Sequence, residues 1–184
     1  MDHLTPQQRH KNMAAIHSKG TKPEIIVRRW LWSHGYRYRL NVKSVPGKPD
    51  IVMRRFRTAI FVNGCFWHGH GVAKPQIDNG ELIIDNSECC KIPKTNREFW
   101  IKKISRNMER DQENYRTLQE NGWHCIVIWE CQLKPKFLEH TMQQVELQLN
   151  HNFLSLYQRK SVPYTEPEEE YLKAAEREEE LTKS

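Results

Sequence analysis

Thr58 to Val62 is a short apolar run, and Ile126-Val127-Ile128 is a second. Between them lies one long segment, running to about Asn121. Its residues Trp100, Ile104, Met108, Asp111, Tyr115 and Leu118 fall on one helical face, while the rest is heavily charged. A buried strand, a helix and another buried strand pack together as a βαβ-like crossover, which makes the two strands parallel. The pattern predicts a mixed α/β fold. Thr95-Asn96-Arg97-Glu98 reads as a capping box opening the helix, and Gly122 as its stop.

The first apolar run delivers the chain into Asn63-Gly64-Cys65-Phe66-Trp67-His68-Gly69-His70-Gly71. Glycine permits backbone angles that residues with a Cβ resist, so this tract reads as a shaped loop. It holds one thiol, two imidazoles and two adjacent aromatics. Cysteine and histidine are ligands that zinc favours, and paired aromatics suit stacking on nucleic-acid bases.

Upstream, Thr5-Pro6-Gln7-Gln8 has the form of a helix start. The segment it opens is basic, carries few large apolar residues and ends by Gly20, so it reads as an arm that lies against a partner. Thr21-Lys22-Pro23-Glu24 repeats the start signal. Val27, Trp30, Leu31 and His34 then follow at helical spacing before Gly35. Tyr36 to Lys43 alternates large apolar with polar residues and predicts a half-buried strand. A turn over Ser44 to Pro49 leads to a strand from Asp50 to Met53, and Arg54 to Arg57 is a tight basic turn. Residues 72–94 predict an irregular excursion with a small hairpin around Asn79-Gly80. Leu138, Met142, Val145 and Leu149 mark a final amphipathic helix, and the chain ends in Glu-rich sequence.

Charge is distributed unevenly. The tail from Glu166 to Ser184 carries 8 acids and 3 bases, leaving 26 bases against 15 acids before it. A body this basic favours a phosphate backbone as partner. The N-terminus has no apolar leader segment, and no run approaches the roughly 18 apolar residues of a membrane span. These features predict a cytoplasmic protein. Five cysteines there are a poor fit to a disulfide framework. Cys65, His70, one of Cys89 and Cys90, and Cys131 supply one histidine and three thiols, enough for a tetrahedral metal site.

Asp50 follows Gly47-Lys48-Pro49 at a strand start, and turn geometry brings it to the rim where the strand ending at Val62 enters the glycine tract. A Pro-Asp at a strand start is half of the arrangement found in metal-dependent nucleases of the restriction-enzyme fold. The second acid and lysine of that arrangement are replaced here by Phe61-Val62-Asn63. A carboxylate can hold Mg²⁺, and an imidazole can deprotonate the attacking water in place of lysine. His68 is the base this reading selects.

Pro46-Gly47-Lys48-Pro49-Asp50, Asn63-Gly64-Cys65-Phe66-Trp67-His68, Pro93 to Trp100 and Trp129-Glu130-Cys131 together resemble the very short patch repair (Vsr) mismatch endonucleases. The likeness runs in order from about Lys11 to Leu133. It implies a restriction-endonuclease-like mixed sheet flanked by helices, with a structural zinc. It also implies Mg²⁺-dependent nicking of the strand that bears the thymine of a T:G mismatch, the lesion left when 5-methylcytosine deaminates. By the same resemblance Asp50 is the metal-binding aspartate, His68 the catalytic histidine and Glu24 a supporting carboxylate. Val62 supplies a backbone carbonyl to the metal. Phe66, Trp67 and Trp100 match aromatics wedged into DNA beside the mismatch, and Met13 enters from the other groove. Some members carry a second histidine where this chain has Asn63, whose amide can still hydrogen-bond to water. The resemblance also implies cooperation with mismatch-repair proteins, and the protein is expected to be a monomer associated with the nucleoid.

The expected organisation is an arm over 1–20, a nuclease domain over 21–150 and a charged extension over 151–184. Two other readings share some of these residues. A zinc-stabilised module that binds distorted duplex without cutting would leave Asp50 as a turn residue. A zinc hydrolase of small molecules would need an open position on its metal.

Overall fold

Thr21, in an extended conformation, caps α1 (Lys22–Ser33), the first full helix among the described residues. Its hydroxyl accepts from the Glu24 N–H at 3.4 Å, and the Glu24 carboxylate accepts from the N–H groups of Thr21 at 3.3 Å and Gly20 at 2.8 Å. The Glu24 donor of the first turn and the two N–H groups that lead into the helix are thereby satisfied. The same reciprocal pair forms between Thr5 and Gln8, at 2.8 and 3.2 Å.

The computed structural model describes residues 5, 7, 8, 11, 19–72, 76–78, 81–83 and 88–158, with 76–78 and 81–83 described by backbone alone. Met13 and the Glu-rich tail lie outside these residues. The chain divides into two units, Met1–Phe153 and Leu154–Ser184.

After α1 come β1 (Ile51–Met53), a 3₁₀ turn at Arg54–Phe56 and β2 (Thr58–Asn63). A small hairpin of β3 (Gln76–Asp78) and β4 (Glu81–Ile83) pairs Asp78 with Glu81. Then follow α2 (Arg97–Glu120), β5 (His124–Trp129), a 3₁₀ turn at Glu130–Leu133 and α3 (Pro135–Gln158). The main sheet has the order β1-β2-β5. β1 and β2 are antiparallel with Ile51 opposite Ile60, whereas β2 and β5 are parallel with Ile60 opposite Ile126. The crossover through α2 is therefore formed as the spacing predicts.

Alternation along the strands sends residues to two cores. Ile51, Met53, Ile60, Ile126 and Ile128 pack with Val27 and Leu31 of α1 and Met142, Val145 and Leu149 of α3. Val52, Ala59 and Phe61 face Leu118 and Tyr115 of α2. Burying each large aliphatic side chain contributes about 1.5–3 kcal/mol. The sheet is consequently covered on both faces, and its residues Ile51 and Ile60 have no exposed surface.

Two expected local structures are absent. Tyr36 to Lys43 makes no strand: Arg39 alone bridges to Val52, and Asn41 turns the chain at φ 50°. Its polar and apolar residues do alternate in burial, but the turn ends the pairing before a ladder can grow. The box expected at Thr95 and Glu98 does not form either. Asn96 caps α2 in the left-handed region at φ 54° without a side-chain bond, and Glu98 instead pairs with Lys102, one turn on. The i,i+4 ion pair draws away the carboxylate that a box requires.

Candidate active site

β2 ends at Asn63, and the chain then coils through successive turns in which Gly64 and Cys65 carbonyls accept from the His68 and His70 N–H groups at 3.2 and 2.9 Å. Gly69 lies between the two histidines with φ +64°, and a Cβ there would meet the Met108 sulfur at 2.6 Å. Any other residue would have to adopt this left-handed backbone and push the Met108 side chain aside. The left-handed residue sends the two imidazoles to different neighbourhoods.

His68 faces α2, where its Nδ1 lies 2.5 Å from Asp111 Oδ2. A carboxylate accepts, so Nδ1 carries a proton, and in the neutral ring Nε2 is then the acceptor. Asp111 is also contacted by Arg110 at 3.2 Å. Asp50, the residue before β1, accepts through Oδ2 from the Val62 N–H of β2 at 2.8 Å. Burial pushes the Asp50 carboxyl up to about 6 against the downward pull of the Val62 hydrogen bond, and the charge of Glu24 adds to the rise. Two carboxylates are thus brought near each other in a place poor in water, a setting that a cation would relieve.

Asp50, Glu24, Val62, Asn63, Trp67, His68 and Asp111 line one cleft of about 840 Å³. Lys48, Lys103 and Arg110 line it too. Asn63 is buried at its base and donates from Nδ2 to the Tyr115 hydroxyl at 3.0 Å. Glu24 has two tasks here, since the carboxylate that caps α1 also lines the cleft.

Beside the cleft, Phe66, Trp67 and Trp100 meet edge to face, with centroids 5.1, 5.3 and 6.0 Å apart. All three are half-buried. Asn107 of α2 fixes the loop beneath them by donating to the Trp67 carbonyl at 2.9 Å. Phe66 and Trp100 rest on a third cluster that includes Ile92, Ile101 and Ile104.

His70 points away from the cleft. Its Nδ1 lies 3.6 Å from Cys65 Sγ and 3.3 Å from Cys131 Sγ, and its ring stacks on Trp129 at 4.3 Å. With Cys89 these residues bring four ligand atoms within 4.8 Å of one another. An ion bonded to thiolates at about 2.3 Å separates its tetrahedral ligands by roughly 3.8 Å, so the set fits a metal centre. Burial lowers the His70 imidazole, raises the Cys65 thiol and pushes Cys131 up to about 12, which favours the uncharged form of these three. Cys90 is outside the group: it is fully buried in the third cluster, with its thiol 3.5 Å from the Phe66 carbonyl.

The sequence offered Asp111 only as part of the packing face of α2, and offered neither Lys103 nor Arg110. The signal for Asp111 was its position, since an acid in an apolar stripe with 13% of its side chain exposed needs a partner.

An oriented imidazole and a half-buried carboxylate in a cleft with basic rims suit the hydrolysis of a polyanion, and the relatives give the class: the protein is an endonuclease. A type II nicking enzyme of Neisseria meningitidis serogroup A is 44% identical over 135 residues, which span 73% of this chain and 86% of the relative. Another, from Xanthomonas oryzae, is 41% identical over 132 residues, 72% of this chain and 86% of that one. The DNA mismatch endonuclease Vsr of Escherichia coli K12 is 37% identical over 128 residues, 70% and 72% of the two chains. Residues 1–74 match the family described as DNA mismatch endonuclease Vsr, and the chain belongs to that family. Among the described residues no helix is long and apolar enough to cross a membrane.

Proposed function

We propose that this protein nicks double-stranded DNA beside a T:G mismatch, on the thymine strand, in a Mg²⁺-dependent reaction that starts repair of deaminated 5-methylcytosine. The observation that carries the reading is the His68–Asp111 pair in one cleft with Asp50, flanked by three mutually packed aromatics. The fold that goes with it is restriction-endonuclease-like, and support comes from Asp50, just before β1, accepting from Val62 near the end of β2.

Asp50 and the Val62 carbonyl would hold Mg²⁺. In an extended strand a residue's N–H and C=O point to the same side, and the Val62 N–H already points at Asp50. One carboxylate is enough, because Mg²⁺ keeps most of its waters. Bound there, the ion supplies positive charge to the phosphate and acidifies water. His68 Nε2 takes the proton of the attacking water, while Asp111 holds the ring and steadies the imidazolium that results. Lys48, Lys103 and Arg110 draw the phosphate backbone into the cleft.

Cys65, His70, Cys89 and Cys131 are the zinc ligands of this reading, a closed site that pins the loop carrying His68. Phe66, Trp67 and Trp100 enter the base stack, at a cost of a few kcal/mol that a weakened mismatch lowers. Met13 and the arm would approach from the other groove, the enzyme would act as a monomer at the nucleoid, and mismatch-repair proteins would take the nicked product.

Incubation with a duplex holding one T:G mismatch, with Mg²⁺ and then with EDTA, tests the reading. One nick in the thymine strand, suppressed by EDTA, is expected. Equal cutting of matched duplex would overturn the specificity, and cutting in EDTA the metal dependence.

A further inference from the structure

Asp111 and Tyr115 are one turn apart on α2 and so stand on the same face of the helix. One grips the loop beyond β2 and the other the last residue of β2. Asp111 holds His68, and the Tyr115 hydroxyl accepts from Asn63 Nδ2 at 3.0 Å. Asn63 closes β2, is 5% exposed and lines the same cleft as Asp50 and His68.

We propose that Tyr115 is a positioning residue of the reaction, which fixes the Asn63 amide so that its carbonyl oxygen is the group offered to water in the cleft. The inference rests on the cleft being the nuclease active site. An asparagine amide at the end of a strand has two faces of similar size and opposite hydrogen-bonding character. Left alone it can rotate and present either one. The bond to Tyr115 restrains that rotation, and in the arrangement observed, with Nδ2 donating to the hydroxyl, Oδ1 is the acceptor that remains. An acceptor beside the base helps to order the water whose proton the base removes.

The ring of Tyr115 is secured without its hydroxyl. It packs edge-on against Phe61 of β2 at 5.0 Å, among residues of the second core. Burial, with the nearby Asp111 and Asp50 charges, pushes the phenol up to about 12, so at neutral pH it keeps its proton. Tyr115 therefore orients and does not itself transfer a proton. Because packing and hydrogen bonding reside in different atoms, Tyr115→Phe removes one and keeps the other.

A double-mutant cycle on the full chain separates these roles. Single-turnover nicking of the T:G duplex is measured with Mg²⁺ and enzyme in excess for the wild type, Tyr115→Phe, Asn63→Ala and the double variant. A neutral hydrogen bond is worth about a factor of 2 to 10, so Tyr115→Phe should slow nicking by that much with its affinity for uncut duplex in EDTA unchanged. Asn63→Ala should cost at least as much. The double variant should match Asn63→Ala, because Tyr115 acts through Asn63. A wild-type rate in either single variant, or an undiminished Tyr115→Phe loss in the Asn63→Ala background, overturns the proposal.

A second measurement needs neither substrate nor metal. In the free protein the Asn63 side-chain NH₂, followed by NMR, should exchange with water faster in Tyr115→Phe than in wild type. Unchanged exchange would overturn the proposal even if the mismatch reading stands. Faster exchange in a protein that cuts no T:G duplex would overturn that reading while leaving the Tyr115–Asn63 linkage supported.

Discussion

Asp111 on α2 and His68 in the loop after β2 lie 2.5 Å apart, carboxylate oxygen to Nδ1, although 43 residues separate them in the chain. The pair decides which nitrogen of His68 is free. If Nε2 is the base, loss of Asp111 should damage the chemical step and spare DNA binding. Positioned acid–base groups contribute about 10²- to 10⁴-fold. We expect His68→Ala to abolish nicking, and Asp111→Asn to lower the single-turnover rate by about 10²-fold, with binding of the uncut mismatch unchanged. An Asp111→Asn rate within a factor of two of wild type would sink the dyad.

The two adjacent cysteines separate by their surroundings. Cys89 has its sulfur in the four-ligand group, whereas Cys90 fills the cluster beneath Phe66. Cys89→Ser should cut zinc content, measured by atomic emission on the purified protein, from one ion per chain to near zero and lower the melting temperature. Cys90→Ser should keep the ion and lose about 1–3 kcal/mol, because a hydroxyl replaces a thiol in an apolar cluster. Equal zinc in both variants would refute the assignment.

Much of this arrangement is legible in the sequence because it depends on local periodicity. The strand from Thr58 to Val62, which the structure extends to Asn63, the helix of the crossover and the parallel strand to Trp129 follow from spacing alone. Spacing also raised the choice between Cys89 and Cys90, but could not make it, since neighbouring residues differ only in the side to which the chain turns them. The strand expected after Tyr36 was lost to a single left-handed residue, Asn41, whose preference alternation does not report. Asp111 and Tyr115 stayed hidden because a helix face that packs and a helix face that serves a site share one period.

Asp50 predicts a trade of stability for function. Its carboxyl is raised from the ordinary 3.8 to about 6 in the folded protein, chiefly by burial. A folded value above the unfolded one means that ionised Asp50 destabilises the metal-free fold. The penalty is complete above about pH 6, shrinks as pH falls towards 3.8 and is absent below it. Asp50→Asn in EDTA should therefore be more stable than wild type by about 1–3 kcal/mol at pH 7.5. Denaturant melts at pH 7.5 and pH 4 check this. A gain at pH 4 as large as at pH 7.5 would show that the carboxylate is not its source. The same variant should fail to nick with Mg²⁺ present.

Trp67 offers a test of how the lesion is chosen. Its ring is half-buried against Phe66 and Trp100, and it also lines the cleft, so it stands where the base stack and the site meet. Base–aromatic stacking is worth about 1–3 kcal/mol per base, and the cost of opening a step is lowest at a mispair. Trp67→Ala should thus weaken binding to a T:G duplex by about 10-fold and leave binding to matched duplex, held by phosphate contacts, nearly unchanged. The slope of log K against log salt should be the same in wild type and variant, since no cation is removed. Competition binding over a range of salt concentrations gives both quantities. Equal losses on matched and mismatched duplex would mean that Trp67 supports the loop and does not read the lesion.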